Sequence, residues 1–471
     1  MEPQPRQSVD VDECGDRSNE AGPMSRVRFP APLYSDLASM LLDANDLESC
    51  AIAYAHHDAH SDTWIVADAR PVPDDAYESR TCVSAILKSS FLIEVANRSR
   101  VTGMAVIAIH THPASPGHPH FSPVDDAGET ELDSYFVRRA APVPHVALVI
   151  GPQGCRARPL GKDDEIDVWE VGERLMLHSP MHGVSDQERD DRQVRAFGAP
   201  GQRLLRRLHF GVIGAGGTGS LECQQLAHLG ARQITVIDHD LVEETNLNRL
   251  VGSVPSDVGR PKVEVAARMI RAINPDAKVV PLQADIVDEE VAKLITTFDF
   301  VLLCTDSHAS RAVVNQAAYQ YLVPVIDMGV SITVANGAVS HITGRVQMLA
   351  PGLPCLNCSG ALDGEAIRRE MLTPEQRAAD PYVQGEREPQ PAVLSINSTV
   401  SSLSMTMLLG AVTPVPIKPR YQVYDGIRGR VKEIAVAVQP NCVACSSMGA
   451  FAKGPTWNLP VRPTRYNRSD K

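Results

Sequence analysis

The segment that most restricts how this chain can fold is Gly214-Ala215-Gly216-Gly217-Thr218-Gly219, set between the apolar run Phe210 to Ile213 and a helical pattern from Gly219 to Leu229. Gly214, Gly216 and Gly219 satisfy G-x-G-x-x-G directly after a strand and at the start of a helix, the context in which that loop gathers a phosphate at the positive helix end. The pattern beyond it alternates: Ile234 to Ile237 reads as a strand, Lys262 to Ile273 as a helix and Phe300 to Cys304 as a strand. That alternation predicts an α/β fold with a mostly parallel sheet covered on both faces. Asp238, 24 residues beyond Gly214, closes the next strand, where an acidic side chain binds ribose hydroxyls.

A chain of 471 residues, 43% of them hydrophobic, is too long for one ordinary core and predicts two globular domains. The net charge of -12 argues against a nucleic-acid binder held by phosphate neutralisation. No apolar run approaches the roughly 18 residues of a membrane span, and the polar start lacks a signal peptide's layout, so a cytoplasmic protein is expected. Residues 1–28 read as a disordered leader, 29–178 as a first domain, 179–453 as a second and 454–471 as a disordered Pro- and Arg-rich tail. Within the first domain, Tyr34 to Leu42 and Val83 to Ala96 read as helices. Cys50 to Tyr54, Met104 to Ile109 and Val146 to Ile150 read as strands, and the charged stretch Asp163 to Arg195 leads into the second half.

A dehydrogenase fits the glycine loop alone. The charges that follow shift the reading to a triphosphate: Asn246-Leu247-Asn248-Arg249, Lys262 opening a helix, and Thr305-Asp306 ending a strand. Phosphate oxygens take Arg and Lys, and a carboxylate takes magnesium. Taken singly, Arg249 and Lys262 would be solvated surface charges; as a set they are not. These residues resemble the ThiF/MoeB adenylyltransferase family, to which ubiquitin-activating enzymes also belong, over about Arg192 to Cys445. The resemblance implies a Rossmann-like domain that binds ATP and magnesium through Gly214, Gly216, Gly217, Gly219, Asp238, Asp240, Asn246, Asn248, Arg249, Lys262, Thr305 and Asp306. Arg249 and Asp306 would also serve catalysis. It further implies a homodimer in which Arg192, in Asp191-Arg192-Gln193, reaches the neighbouring subunit's nucleotide. The implied reaction is adenylation of the C-terminal carboxylate of a ubiquitin-like β-grasp protein.

Cys355-Leu356-Asn357-Cys358 and Cys442-Val443-Ala444-Cys445 form two CxxC pairs, a pattern for tetrahedral structural zinc with no open position. Residues 359–441 hold no cysteine, whereas family members that form a thioester or persulfide keep one there. Ser395, Ser398 and Thr399 occupy the following segment, where hydroxyls are read first as helix caps.

In the first half, His110-Thr111-His112-Pro113 and Ser122-Pro123-Val124-Asp125 form a second constellation. Histidines at i and i+2 on a strand end project to one side and share a metal; Asp125 adds a third ligand and leaves a position open for water. This pattern resembles the JAMM (JAB/MPN) metalloproteases over about residues 30–155. The resemblance implies a catalytic zinc on His110, His112 and Asp125, a general base at Glu48, with Glu94 as competitor, and Ser122 donating to the developing oxyanion. The gap of 13 residues from His112 to Asp125 is longer than usual, and His118 and His120 in the extra loop are expected to be exposed to solvent. Together the two resemblances imply an enzyme that both activates and trims or releases one ubiquitin-like protein, with a conjugating enzyme as a further partner. Sulfur-carrier activation and trimming for a cofactor or amino-acid pathway is the alternative, and an ATP-binding scaffold with inactive sites is a third reading.

Overall fold

The computed structural model describes residues 25–43, 46–181, 187–372, 376 and 391–462. Most of the leader and the end of the tail expected from sequence lie outside these residues. Two eight-stranded sheets dominate. The first uses β1 (Arg26–Pro30), β2 (Cys50–Asp58), β3 (Thr63–Pro71), β6 (Ala105–Thr111), β7 (Val146–Gly151), β8 (Gly154–Pro159), β9 (Asp167–Val171) and β10 (Leu175–Leu177), in the order β10-β9-β1-β3-β2-β6-β7-β8. Between β3 and β6 a separate hairpin forms from β4 (Tyr77–Arg80) and β5 (Ala85–Leu87). Helices α1 (Leu33–Leu42), α2 (Ser89–Thr102) and α3 (Pro123–Arg139) cover the sheet.

Alternation along the strands sends side chains to two cores, as a pleated strand requires. Ala51, Ala53, Ile107 and Ile109 join Leu37 and Trp64 on one face. Cys50, Ile52, Tyr54 and Val106 join Val95 and Phe136 on the other. β2 and β6 are antiparallel with Cys50 opposite His110. That register carries His110 and Glu48 to the α2/α3 side of the sheet, and continued two residues past the ladder it sets Glu48 across from His112.

The second sheet contains β11 (His209–Ile213), β12 (Gln233–Ile237), β13 (Lys278–Leu282), β14 (Phe300–Leu303), β15 (Val325–Ala335), β16 (Ala338–Leu349), β17 (Tyr421–Asp425) and β18 (Arg430–Glu433). The order is β13-β12-β11-β14-β15-β16-β17-β18. The first five are parallel, in doubly wound order with the strand direction of travel reversing between β11 and β14. The last three are antiparallel, an extension that the alternating pattern alone does not predict. Among the described residues seven helices accompany it: α4 (Asp191–Arg207), α5 (Gly217–His228), α6 (Lys262–Ile273), α7 (Glu289–Lys293), α8 (His308–Gln320), α9 (Gly364–Met371) and α10 (Leu394–Val412).

Four sequence expectations change. Residue 26, not 29, opens the first sheet, because Arg26 and Arg28 are buried with acceptors from the second half. Val83 to Ala96 divides into β5 and a helix that starts at Ser89 and runs past Ala96 to Thr102. The charged stretch after Asp163 supplies β9 and β10; its carboxylates are buried against partners, Asp167 with Arg207 and Glu170 with His178. The tail is ordered to residue 462: Gln320 Nε2 donates to Gly454 O at 2.7 Å, and the Arg462 N–H donates to Val287 O at 2.7 Å.

The two sheets meet over a buried junction. Arg26 Nε lies 2.8 Å from Asp299 Oδ1, and Arg28 donates to Phe298 O at 2.8 Å and Tyr321 O at 3.2 Å. Ile65, Trp169, Val171 and Leu175 of the first half belong to the same continuous core as Phe210 and Leu302 of the second.

Candidate active sites

The glycine loop leaves β11 and enters α5 at the reversal of strand order, where an open α/β sheet forms a crevice. Gly214 has φ +93°, and a Cβ there would lie 3.0 Å from the Cys304 carbonyl; a Cβ on Gly219 would lie 1.8 Å from Gly214 O. Those two glycines let the loop pack on itself. At Gly216 an added Cβ meets nothing within 4 Å, so that face of the loop is open. The Ser220 N–H is the first in α5 to bond backwards, to Gly216 O at 2.9 Å. The N–H groups of Gly217, Thr218 and Gly219 have no acceptor among the described residues, which is the donor set a phosphate needs.

Asp238 is committed on both oxygens: Oδ2 accepts the Ala215 N–H at 2.6 Å and Oδ1 the Asp240 N–H at 2.8 Å. Burial raises its pKa against the pull of Lys262. Lys262 Nζ pairs with Asp240 Oδ2 at 2.7 Å. Arg249 lies over the loop, its Cδ 3.5 Å from a Cβ built on Gly217, and donates to Thr245 O at 2.6 Å and to Asn248 Oδ1 at 3.3 Å. Asn246 is buried and accepts the Glu243 N–H at 3.2 Å, fixing the turn that carries Arg249. Thr305 touches Gly214, its Oγ1 accepts the Ser307 N–H at 3.1 Å, and Asp306 is exposed at the top of β14.

Arg192 is not brought to this crevice. Its neighbour Gln193 donates to His228 O at 2.8 Å, which is the far end of α5, and a helix of that length spans about 18 Å. Sequence reasoning missed Asn397, buried on α10 and so close that a Cβ on Gly217 would lie 2.3 Å from its Nδ2. It also missed Asp327, fully buried on β15 opposite Leu303, the last residue of β14, with Arg311 Nε at 3.1 Å and with Arg345. An amide in a serine-rich apolar helix gives no local signal of such a contact. Ser398 and Thr399 do not cap α10; they donate to the carbonyls of Leu394 and Ser395 at 2.9 and 3.0 Å, one turn back.

The four CxxC thiols converge. Cys355 Sγ lies 3.4 Å from Cys442 Sγ and 3.7 Å from Cys358 Sγ, and Cys358 Sγ lies 3.5 Å from Cys445 Sγ. Thiolates bound tetrahedrally at 2.3 Å stand about 3.8 Å apart, so the residues fit a zinc ion. The Cys445 thiol and burial act in opposite directions on Cys355, with the net effect of pushing its pKa down.

On the first sheet, His110 Nε2 lies 3.3 Å from Asp125 Oδ1, His112 Nε2 lies 3.4 Å from Asp125 Oδ2, and one ligand atom of each residue falls within 4.8 Å of the others. Ligands about 2.1 Å from a tetrahedral zinc are separated by about 3.4 Å. His110 Nε2 is buried and makes no well-aligned hydrogen bond, as a metal-facing nitrogen should. α3 delivers Asp125 through its N-terminal box: the Ser122 hydroxyl accepts the Asp125 N–H at 3.3 Å, and Asp125 Oδ2 accepts the Ser122 N–H at 2.6 Å. Burial raises the Asp125 pKa, but the His110 and His112 imidazoles beside it leave it well below the carboxylate range. Glu48, 6% exposed, places Oε1 3.5 Å from His112 Nε2; burial raises its pKa against the two histidines. Glu94 is exposed on α2. His118 is half-buried against Gly154, contrary to the expected exposure, while His120 is exposed; neither belongs to the His110 cluster.

The sequence pattern described as the ThiF family matches residues 190–444, more than half of the chain. The chain belongs to the ThiF family. Over 271 residues it is 30% identical to the molybdopterin-synthase adenylyltransferase of Escherichia coli strain K12, covering 56% of this chain and 99% of that relative. It is 33% identical over 161 residues to the SAMP-activating enzyme E1 of Haloferax volcanii, covering 34% of this chain and 56% of the relative. The adenylyltransferase and sulfurtransferase MOCS3 of Arabidopsis thaliana matches at 26% over 283 residues, 58% of this chain and 55% of the relative. This ThiF-family chain is thus an adenylyltransferase whose Rossmann-like half contains the glycine crevice and the thiol cluster. The His110 site lies outside the matched residues. Among the described residues of the ThiF-family chain, no helix is long and apolar enough to cross a membrane.

Proposed function

We propose that this chain adenylates the C-terminal carboxylate of a ubiquitin-like β-grasp protein and, at a second site, hydrolyses a peptide or isopeptide bond at that protein's tail. The observation that carries the first part is the open phosphate cradle at Gly216 in a ThiF-family crevice. Free N–H groups of Gly217 to Gly219 would hold the phosphates, Arg249 would neutralise charge developing as pyrophosphate leaves, and Asp306 would hold magnesium, assisted by Lys262 and Asp240. A substrate carboxylate oxygen attacks the α-phosphorus of ATP; the bond to pyrophosphate breaks and an acyl adenylate forms. Because Arg192 sits at the far end of α5, its role requires a second copy of the chain, and a homodimer is part of the proposal.

The second part rests on the His110, His112 and Asp125 cluster with Glu48 beside it. His110, His112 and Asp125 would hold a zinc ion, which would supply an acidified water and Lewis acidity toward the scissile carbonyl. Glu48 would take the proton from the attacking water and return it to the leaving amine. Ser122 has its oxygen engaged in the helix cap, which leaves its O–H to donate to the oxyanion. The four cysteines would hold a separate, structural zinc.

Sulfur-carrier activation with trimming is the second reading, supported by the names of the Escherichia coli and Arabidopsis relatives. Carrier-dependent ATP–pyrophosphate exchange tests the adenylation in either pathway: exchange should appear with the cognate β-grasp protein and vanish in Asp306→Ala. Exchange with no carrier of either class would defeat it. An isopeptide-linked conjugate, which survives both thiol and mild base, or a carrier thiocarboxylate, then separates modification from sulfur transfer.

A further inference from the structure

The β2/β6 ladder ends at the pair Cys50 and His110, so the residues before Cys50, including Glu48, have no strand partner to fix them. Their backbone is nevertheless held at every amide. The Cys50 N–H donates to Tyr77 Oη at 2.7 Å, the Ser49 N–H to Thr111 Oγ1 at 2.9 Å, and the Glu48 N–H to Thr81 O at 2.8 Å. Arg80 adds a bond from Nε to Glu48 O at 2.9 Å and another to the Ser49 hydroxyl. Tyr77, Arg80 and Thr81 all come from the β4–β5 hairpin, which is half-exposed. Thr111 alone comes from the strand that carries the histidines, and it is fully buried.

Resting on the hydrolase reading above, we infer that Thr111 is a positioning residue: by accepting the Ser49 N–H it fixes the backbone from which Glu48 reaches His112. One tripeptide, His110-Thr111-His112, then sets both halves of the site. Its outer residues face the metal position on one side of the strand. Its middle side chain, on the opposite parity, ties down the segment that carries the base. A rigid register between base and ligands follows because both are anchored to the same three residues of β6 and its end. A methyl in place of the hydroxyl leaves the volume unchanged and removes the acceptor, so the Ser49 N–H is buried without a partner and segment 48–50 loosens. Misplacement of a base by about 1 Å costs on the order of 100-fold in rate.

The test compares full-length wild type with Thr111→Val and Thr111→Ser. Three readouts are taken: zinc affinity by chelator competition, hydrogen exchange of the Ser49 amide, and kcat and KM on a β-grasp carrier bearing a C-terminal extension. Thr111→Val should bind zinc as tightly as wild type, exchange the Ser49 amide faster, and lose roughly 10- to 100-fold in kcat with KM unchanged. Thr111→Ser, which keeps the acceptor, should restore exchange protection and rate. Thr111→Cys, of similar shape with a weaker acceptor, should be intermediate and serves if the valine variant does not fold. Wild-type kcat and Ser49 protection in Thr111→Val, or a serine variant as impaired as valine, would overturn the role of Thr111 while leaving the hydrolase intact. Failure of wild type to lose a zinc equivalent on His110→Ala with His112→Ala would instead overturn the hydrolase reading and the positioning role with it.

Discussion

Glu222 shows how a single residue can set the pH response of this chain. It is fully buried on α5, neither carboxylate oxygen has a well-formed hydrogen bond, and burial pushes its pKa up to about 8 against Ser401 and Ser404. In the unfolded chain the same group titrates near 4.5. The native state therefore holds a proton that the unfolded state has released between those values, and stability must fall as pH rises from about 5 to 8. Glu222→Gln removes that proton from the balance. Thermal melts should show the variant equal to wild type near pH 5 and more stable at pH 8; parallel pH curves would refute the assignment. The sequence gives no hint of this group, because a Glu inside a helix after a glycine loop looks like any exposed helical Glu. Glu48 was legible for a different reason: it stands two residues before β2, and the register of β2 on β6, continued past its last pair, sets that position against His112.

At the scale of elements, the glycine loop and α6 were readable because their signals are local. Lys262–Ile273 follows its 3.6-residue apolar period from end to end. β16, β17 and β18 were not, since Ser340, His341, Gln422 and Lys432 break any long apolar run on strands that are exposed or only partly buried over much of their length. The β4–β5 hairpin escaped notice for the same reason, and with it the clamp around Glu48. Gly216 allows a test of the loop itself. Its φ of -79° is open to any residue and its Cβ position is vacant, so Gly216→Ala should melt within a few degrees of wild type while losing ATP-dependent exchange. A variant that keeps exchange would mean that phosphates do not lie on that face. Gly219→Ala, whose Cβ would collide with Gly214 O, should instead destabilise the fold.

The whole molecule is two sheets joined through a core that reaches across the junction, with two further cores on the faces of the first sheet, rather than two domains on a tether. Length and the change of periodicity set the expectation of two domains, but the burial of Trp169 and Leu175 in the second half's core was not legible, because it depends on the tertiary packing of segments distant in the chain. Asp299 is a buried charge at that junction, paired with Arg26 and, together with Asp58, compensating Arg28. Asp299→Ala leaves the buried Arg26 guanidinium without its partner and should cost about 3 to 5 kcal/mol, with both halves melting together in a single calorimetric transition. Two independent transitions, one unaffected by the substitution, would contradict a shared core. The most direct test of the central claim, that one chain both activates and cuts a carrier's tail, is mass spectrometry of a single reaction. The chain is mixed with magnesium-ATP, zinc and its β-grasp carrier extended at the C-terminus. The account predicts a trimmed carrier and its adenylate, with Asp306→Ala removing only the adenylate, and with Glu48→Gln removing the trimming and the adenylate that depends on it, the latter restored when the carrier is supplied already trimmed. A carrier that remains at its starting mass with the wild-type chain, neither shortened nor adenylated, would contradict it.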